Sequence, residues 1–290
     1  MKFPWNKYEK LPLERRNTLQ IFITNKCNLN CQGCFARNII KENDQDISIE
    51  EYKEVIEKAV SKGVKQINLL GGEPFLHKRL TYLITINKQH NLKTTIYTNG
   101  QAFDTSDCGW LYSDFKDVKI RVSIYSYNGN NKSCLSIPEK NIPEFDANVM
   151  VSKNTKITDL LHSAARCEYL HKCKVFFISS IRELDNKRKE FFDDTDNTMP
   201  VIEYKELVHN FLNVYDGSMD IHVSKRGVFE STVSQCGNKC NFSNYFIGGK
   251  IIQCPYDVVN EKYQDDYEFD KRYCVQSNSC LMSKVIYRKK

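Results

Sequence analysis

Two hydrophobic periods alternate along this chain, and their alternation predicts its architecture. The run LQIFIT at 19–24 is short, apolar and rich in β-formers, as a buried strand requires. Over 46–63 the period becomes helical: Tyr52, Val55, Ile56, Ala59 and Val60 share one face, Ser48 and Glu51 form a capping box, and Gly63 stops the helix. A second strand is predicted at 65–70. The helix after it is marked by Leu76, Leu80, Leu83 and Ile84, with Pro74 suited to its first turn. Strand 93–98, the turn Asn99-Gly100, a weaker helix ending near Phe115 and strand 118–125 continue the series. Asn, Gly, Ser and Pro crowd 126–143, which reads as a loop with at most a short helix. Strand 147–151, a helix faced by Ile157, Leu160, Leu161 and Ala164, and strand 174–178 complete six β/α units.

The highly charged 182–197 predicts a loop or cover. Pro200 then opens a helix with the stripe Tyr204, Leu207, Val208, Phe211, Leu212 and Tyr215, and 220–223 suits a short strand. Strands alternating with helices imply parallel pairing through right-handed crossovers. The expectation is a barrel-like α/β sheet whose chemistry sits at the C-terminal mouth of its strands. Three segments follow: an arm at 1–18 packing Phe3 or Trp5 onto the body, a main unit at 19–220, and a different, Cys-rich unit at 221–290.

Composition narrows the setting. A chain of 290 residues with 41% hydrophobic content buries one large core, or a core plus a small appended unit. The first twenty residues hold no apolar signal run, and no stretch approaches the length of a membrane span, so a cytoplasmic protein without membrane contact is expected. In that setting twelve cysteines point to reduced thiols and metal rather than disulfides. The net charge of +6 is spread along the chain, which fits a solvated surface better than a nucleic-acid groove, though a phosphorylated substrate is compatible.

The chemistry concentrates first at Cys27, Cys31 and Cys34. Three thiolates within eight residues can wrap three corners of a cuboidal iron–sulfur cluster and leave one iron open, whereas a closed zinc site wants a fourth ligand, and no fourth Cys or His lies nearby. Half of a zinc site, or unrelated buried thiols, are the competing readings of the triplet alone. Downstream, at the end of the second predicted strand, stands Gly71-Gly72-Glu73-Pro74, which by itself is also compatible with a plain tight turn. Jointly, the C-x3-C-x2-C spacing and the GGEP turn resemble the radical SAM superfamily.

That resemblance implies an open, partial (β/α)6 barrel. It implies a [4Fe-4S] cluster on Cys27, Cys31 and Cys34, with S-adenosylmethionine (SAM) bound at the open iron. One electron, from a donor such as flavodoxin or ferredoxin, cleaves SAM reductively to a 5′-deoxyadenosyl radical that abstracts a substrate hydrogen. Gly71, Gly72, Glu73 and Pro74 are implied around the SAM amine, with Glu73 as an ionised acceptor; the alternative is an exposed turn carboxylate. Thr98, Asn99, Ser123 and Asn148, at strand ends, resemble residues that touch the SAM ribose or carboxylate, although such residues commonly only bond the backbone. Position 33, often aromatic in relatives, is Gly here, so Phe35 is the candidate for the adenine contact.

Five cysteines lie after residue 230: Cys236, Cys240, Cys254, Cys274 and Cys280. Residues 244–247 and 250–254 flank Gly248-Gly249, a two-residue β-hairpin signal. The spacing C-x12-G-x4-C from Cys236 to Cys254 resembles the first auxiliary-cluster motif of the SPASM and twitch subfamilies, and the chain lacks the full second SPASM array. A twitch-like extension with a second Fe–S cluster is implied, held by Cys236, Cys254, Cys274 and Cys280, with Cys240 as the rival ligand. A zinc-bound or metal-free hairpin is the alternative. Of the remaining cysteines, Cys134 is the candidate hydrogen-atom donor, against a buried or surface thiol, and Cys108, Cys167 and Cys173 carry no assignment.

The resemblance implies a radical SAM enzyme acting on a small molecule or peptide by oxidation, epimerisation or cross-linking. Two other functions stand beside it. One is a glycyl-radical-enzyme activase, for which Gly33 is the feature; the other is a non-catalytic zinc-binding interaction protein, supported by cysteine count.

Overall fold

Strands with one apolar face need that face covered, and here helices cover it. A computed structural model describes residues 8–11, 18–29, 31, 46–61, 64–105, 114–125, 144–171, 173–180, 199–224, 244–247, 250–252 and 284–289. After β1 (Tyr8–Leu11) come β2 (Thr18–Thr24), β3 (Gln66–Gly71), β4 (Lys93–Thr98), β5 (Lys119–Tyr125), β6 (Phe145–Val151), β7 (Val175–Ser180) and β8 (Asp220–Ser224). From β2 to β8 they lie side by side in chain order, all in parallel. The six strands of the predicted β/α units are all present, and the short strand expected at 220–223 is β8, a seventh member of the parallel series.

Helices fill the crossovers: α1 (Ile49–Ser61), α2 (Leu80–Gln89), the short α3 (Ala102–Thr105), α4 (Ile157–His171) and α5 (Val201–Val214). Ser48 caps α1 as predicted, its Oγ accepting the Glu51 N–H at 3.0 Å. Tyr52, Val55, Ile56 and Ala59 are buried, but Val60 is 38% exposed. It lies about 80° around the helix from Tyr52, at the flank of the stripe. Leu76 also departs from expectation: it belongs to a separate 3-10 turn, Pro74–Leu76, and is partly exposed. The α5 stripe is buried throughout, with Tyr204 donating to the Ile178 carbonyl and Phe211 stacking on Phe176. Among the described residues no helix is long and apolar enough to cross a membrane.

Both sheet edges are extended by later or earlier chain. β9 (Asn244–Ile247) pairs in parallel with β2, and β10 (Lys250–Ile252) returns antiparallel on β9 with Ile247 opposite Lys250, as the predicted two-residue hairpin requires. At the other edge β11 (Lys284–Lys289) pairs antiparallel with β8, and β1 with β11. The expectations for Phe3, Trp5, the Gly63 stop, 126–143 and 182–197 fall outside the described residues.

Alternation along the strands divides the sheet into two chemically different faces. Ile120, Val122 and Ile124 of β5, and Phe145, Ala147, Val149 and Val151 of β6, belong to the buried apolar core. Their neighbours Arg121, Ser123, Asp146 and Asn148 point the other way. The polar inner face is therefore a continuous property of the sheet, in register from β4 to β6: Tyr97 beside Arg121 beside Asp146, and Ser123 beside Asn148.

The apolar side carries one buried polar chain that links α1, α2 and β4. Tyr52 donates to Asn87 Oδ1 at 2.8 Å, and Asn87 Nδ2 donates to Thr94 Oγ1 at 3.1 Å. Tyr52→Phe deprives the fully buried Asn87 oxygen of its donor. The expected loss is about 1–3 kcal/mol in urea unfolding; an unchanged midpoint and slope would show that the phenol contributes nothing.

Candidate functional site

The mouth of the sheet is built by the way the turn after β3 closes on the end of β2. The β2–β3 pairing carries a bulge between Phe22 and Thr24, which turns the chain at the start of the cysteine loop. Gly72 N–H then donates to the Thr24 carbonyl at 2.9 Å and Glu73 N–H to the Lys26 carbonyl at 2.7 Å. Glycine is required at both positions. Gly71 has φ +148°, and a Cβ there would strike the Thr24 carbonyl; a Cβ on Gly72 would strike the Lys26 carbonyl and come within 2.9 Å of Cys27 Cβ. The turn thus lies directly against the residue before the first cysteine.

Glu73 carries this closure one strand further. Its side chain is fully buried, and its carboxylate accepts from Thr98 Oγ at 2.7 Å, Asn99 N–H at 2.7 Å and Phe75 N–H at 3.2 Å. Burial pushes its carboxyl up to about 7, against the three donors, which favour the ionised form. It is thus not the exposed turn carboxylate that formed the alternative reading. Thr98 in turn accepts the Gly100 N–H, and Asn99 accepts the Gln101 N–H through Oδ1 while its Nδ2 donates to Asn28 of the cysteine loop at 2.8 Å. Thr98 and Asn99 therefore bind the turn and the loop to each other.

Cys27 is half-buried and Cys31 buried, both as thiols. Burial pushes the Cys27 thiol up, and the Glu73 charge adds to it, while N–H groups of Leu29 and Asn28 oppose. A thiolate here needs a neighbouring cation, which ligation to iron supplies. The two sulfurs, one of them already receiving the Leu29 N–H at 3.5 Å, fit the soft anionic ligands of an Fe–S cluster. Cys34, Gly33 and Phe35 lie outside the described residues, as do Cys108, Cys134, Cys236, Cys240, Cys254, Cys274 and Cys280.

Three residues that sequence reasoning did not single out brace the loop from the other side. Thr24 Oγ and Lys26 Nζ donate to the two oxygens of Asp46, at 2.7 and 2.9 Å. Against partial burial, these bonds hold Asp46 below the usual carboxylate range. His77 Nδ1 accepts the Arg79 N–H at 3.1 Å, which leaves Nε2–H to donate to the Ile47 carbonyl at 3.3 Å. Separations of 20 to 30 residues, with no period between them, gave these contacts no sequence signal.

Ser123 and Asn148 stand apart from this group. They are partners on the inner face of β5 and β6, and Asn148 Oδ1 accepts from Ser179 Oγ on β7 at 2.9 Å. They are not drawn into the Glu73 network by any described hydrogen bond.

The described geometry sets a thiol loop at the end of one parallel strand against a glycine-glycine-glutamate turn at the end of the next. Comparison with known proteins gives a family match for part of the chain. Residues 21–124 match the radical SAM superfamily. The chain is 37% identical over 115 residues to the probable GTP 3′,8-cyclase of Methanocaldococcus jannaschii, covering 38% of this chain and 37% of that protein. It is 33% identical over 92 residues to the GTP 3′,8-cyclase of Synechocystis sp., covering 31% and 28%. The match thus spans well under half the length of these curated relatives. In fold the chain is similar to Streptococcus suis SuiB bound to its precursor peptide SuiA, with TM-score 0.67 at 16% identity, covering 91% of this chain and 66% of that one. The family match runs from β2 to β5 and so takes in the cysteine loop and the Glu73 turn.

His77 makes the brace pH-sensitive. Burial holds its imidazole below the ordinary 6.5, with Lys26 and Arg79 acting in the same direction and Asp46 and the Ile47 carbonyl opposing. The folded state therefore binds this proton less readily than the unfolded chain, so His77 contributes stability above pH 6.5 that is lost as pH falls from 6.5 toward its lowered value. In urea unfolding, the difference between wild type and His77→Gln should shrink across that window. A difference independent of pH would contradict a neutral His77 in the fold.

Proposed function

We propose that this chain is a radical SAM enzyme that reductively cleaves SAM and abstracts a hydrogen atom from a small-molecule or peptide substrate. The observation that carries the reading is the clamped loop: Cys27 stands at the strand mouth directly against Gly72, and its neighbour Asn28 is linked to Asn99. A [4Fe-4S] cluster on Cys27, Cys31 and Cys34 supplies the electron chemistry when bound. The protein holds the loop, orients SAM and keeps water from the reacting carbon.

We assign Gly71, Gly72, Glu73 and Pro74 to the methionyl amine of SAM. Gly71 and Gly72 give the backbone close approach. Glu73 fixes the turn through its three donors, and its charge favours the ammonium. Thr98 and Asn99 hold Glu73 and the loop in place, Ser123 and Asn148 present polar groups from the inner face, and Phe35 is assigned to adenine. A flavodoxin or ferredoxin is the proposed donor. The main unit is proposed at 19–220 after an arm at 1–18, in a cytoplasmic protein. Similar proteins include a GTP 3′,8-cyclase and a protein bound to its precursor peptide, which supports both substrate classes.

The segment 221–290 is proposed as a twitch-like unit holding a second Fe–S cluster through Cys236, Cys254, Cys274 and Cys280, with Cys240 as rival. The β9–β10 pairing supports it by bringing the chain back on itself two residues before Cys254. Cys134 is proposed as the hydrogen-atom donor of an epimerase-type reaction.

Replacing Cys27, Cys31 and Cys34 singly by Ala is expected to abolish dithionite-driven formation of 5′-deoxyadenosine while the apolar face keeps the protein folded. Undiminished product from any one variant would refute the ligand set. The triple variant should still bind about four irons and four sulfides through the second cluster. A folded, colourless triple variant would remove the second cluster from the account and leave the first intact; colourless wild type that leaves SAM untouched would favour a zinc protein.

A further inference from the structure

Among the described residues, Arg121 Nε is the one buried side-chain nitrogen or oxygen left without a hydrogen-bond partner. Arg121 leaves β5 between Ile120 and Val122 of the apolar core, so its side chain occupies the inner face, where it is only 8% exposed. The guanidinium reaches across the sheet. It lies 3.9 Å from the ring centroid of Phe177 on β7 and 5.1 Å from that of Tyr97 on β4, and donates from one terminal nitrogen to Tyr97 Oη at 2.6 Å. The other terminal nitrogen is 3.6 Å from Asp146, near enough to share charge but longer than a good hydrogen bond.

A buried ion pair kept for structure takes short, bidentate geometry, because anything less fails to offset the loss of hydration. Arg121 has instead a stretched pair, a bare in-plane donor, and an aromatic ring holding its face. A guanidinium fixed flat, with its Nε–H uncommitted and one terminal nitrogen only loosely paired, suits recognition of a carboxylate or phosphate oxygen. Tyr97 adds a second donor, since a phenol that accepts from Arg121 keeps its own proton to give. The position is also apt: on β5 and β6 the Arg121–Asp146 pair sits one pleat, roughly 7 Å, deeper than the Ser123–Asn148 pair.

We propose that Arg121 and Tyr97 form a substrate subsite for an oxyanion, a carboxylate or phosphate group, on the inner face one pleat below Ser123 and Asn148. Anchored there, a substrate presents its remaining part toward the cysteine loop. Asp146, 3.6 Å from the guanidinium, is a stretched rather than a closed partner, which leaves the cation able to attract an arriving anion. This subsite rests on the reading that substrate reacts at this mouth, but its test needs neither cluster nor SAM.

Calorimetric titration of the full chain, cluster-free and at constant ionic strength, with inorganic phosphate, acetate and neutral acetamide tests it. Binding of phosphate or acetate but not acetamide is expected, and which anion binds identifies the source of the oxygen. In Arg121→Met the affinity should fall about tenfold to a hundredfold. Arg121→Met combined with Asp146→Asn, which leaves no unpaired charge, should be as stable as wild type in urea and equally unable to bind. Neither anion binding to wild type, binding that survives in the variants, or a double variant much less stable than wild type would each overturn the subsite. Failure here leaves SAM cleavage standing, and loss of SAM cleavage with retained anion binding removes only the proposed reaction.

Discussion

Everything at the mouth of this sheet depends on two backbone hydrogen bonds, from Gly72 to Thr24 and from Glu73 to Lys26. Each contributes only about 0.5–1.5 kcal/mol net. Their importance is geometric: they press the turn after β3 onto the residue preceding Cys27, at a separation that no side chain at position 71 or 72 permits. The bulge in β2 supplies the bend that makes this approach possible. Once the turn is closed, the Glu73 carboxylate reaches the end of β4, and Asn99 returns the connection to Asn28 of the loop. Three strand ends and the cysteine loop are joined in one circuit.

The two faces of the sheet divide the remaining work. The helical face holds the fold through apolar packing, with Tyr52, Asn87 and Thr94 as a fully bonded polar exception. The inner face of β4 to β6 carries polar residues, and among the described residues Arg121 Nε is the one buried side-chain nitrogen or oxygen without a hydrogen-bond partner. The proposed oxyanion subsite rests on this unpartnered Arg121 Nε–H.

Much of the fold was legible because it follows from periodicity. The six strands and the Ser48 cap were expected from spacing alone, and the α5 stripe proved buried as read. Val60 misled because a 3.6 period leaves the edge of a stripe ambiguous. The cysteine triplet and the glycine-glycine-glutamate turn were readable as motifs, but their contact was not, since 45 residues separate Cys27 from Gly72. Lys26, Asp46 and His77 left no trace in the pattern. Arg121 was not singled out either, although in Ile120-Arg121-Val122-Ser123-Ile124 the polar residues fall on alternate positions, as one strand face requires.

Amide hydrogen exchange at Gly72, Glu73 and Asn99 in the metal-free protein tests the clamp most directly. The account predicts that these three amides are protected to a degree comparable with the amides of β3 and β4, because the circuit is closed by the protein's own groups before any cluster binds. Exchange as fast as in an open loop would mean that the mouth is assembled by its metal, and would contradict the clamp as the constraint on which the site is built.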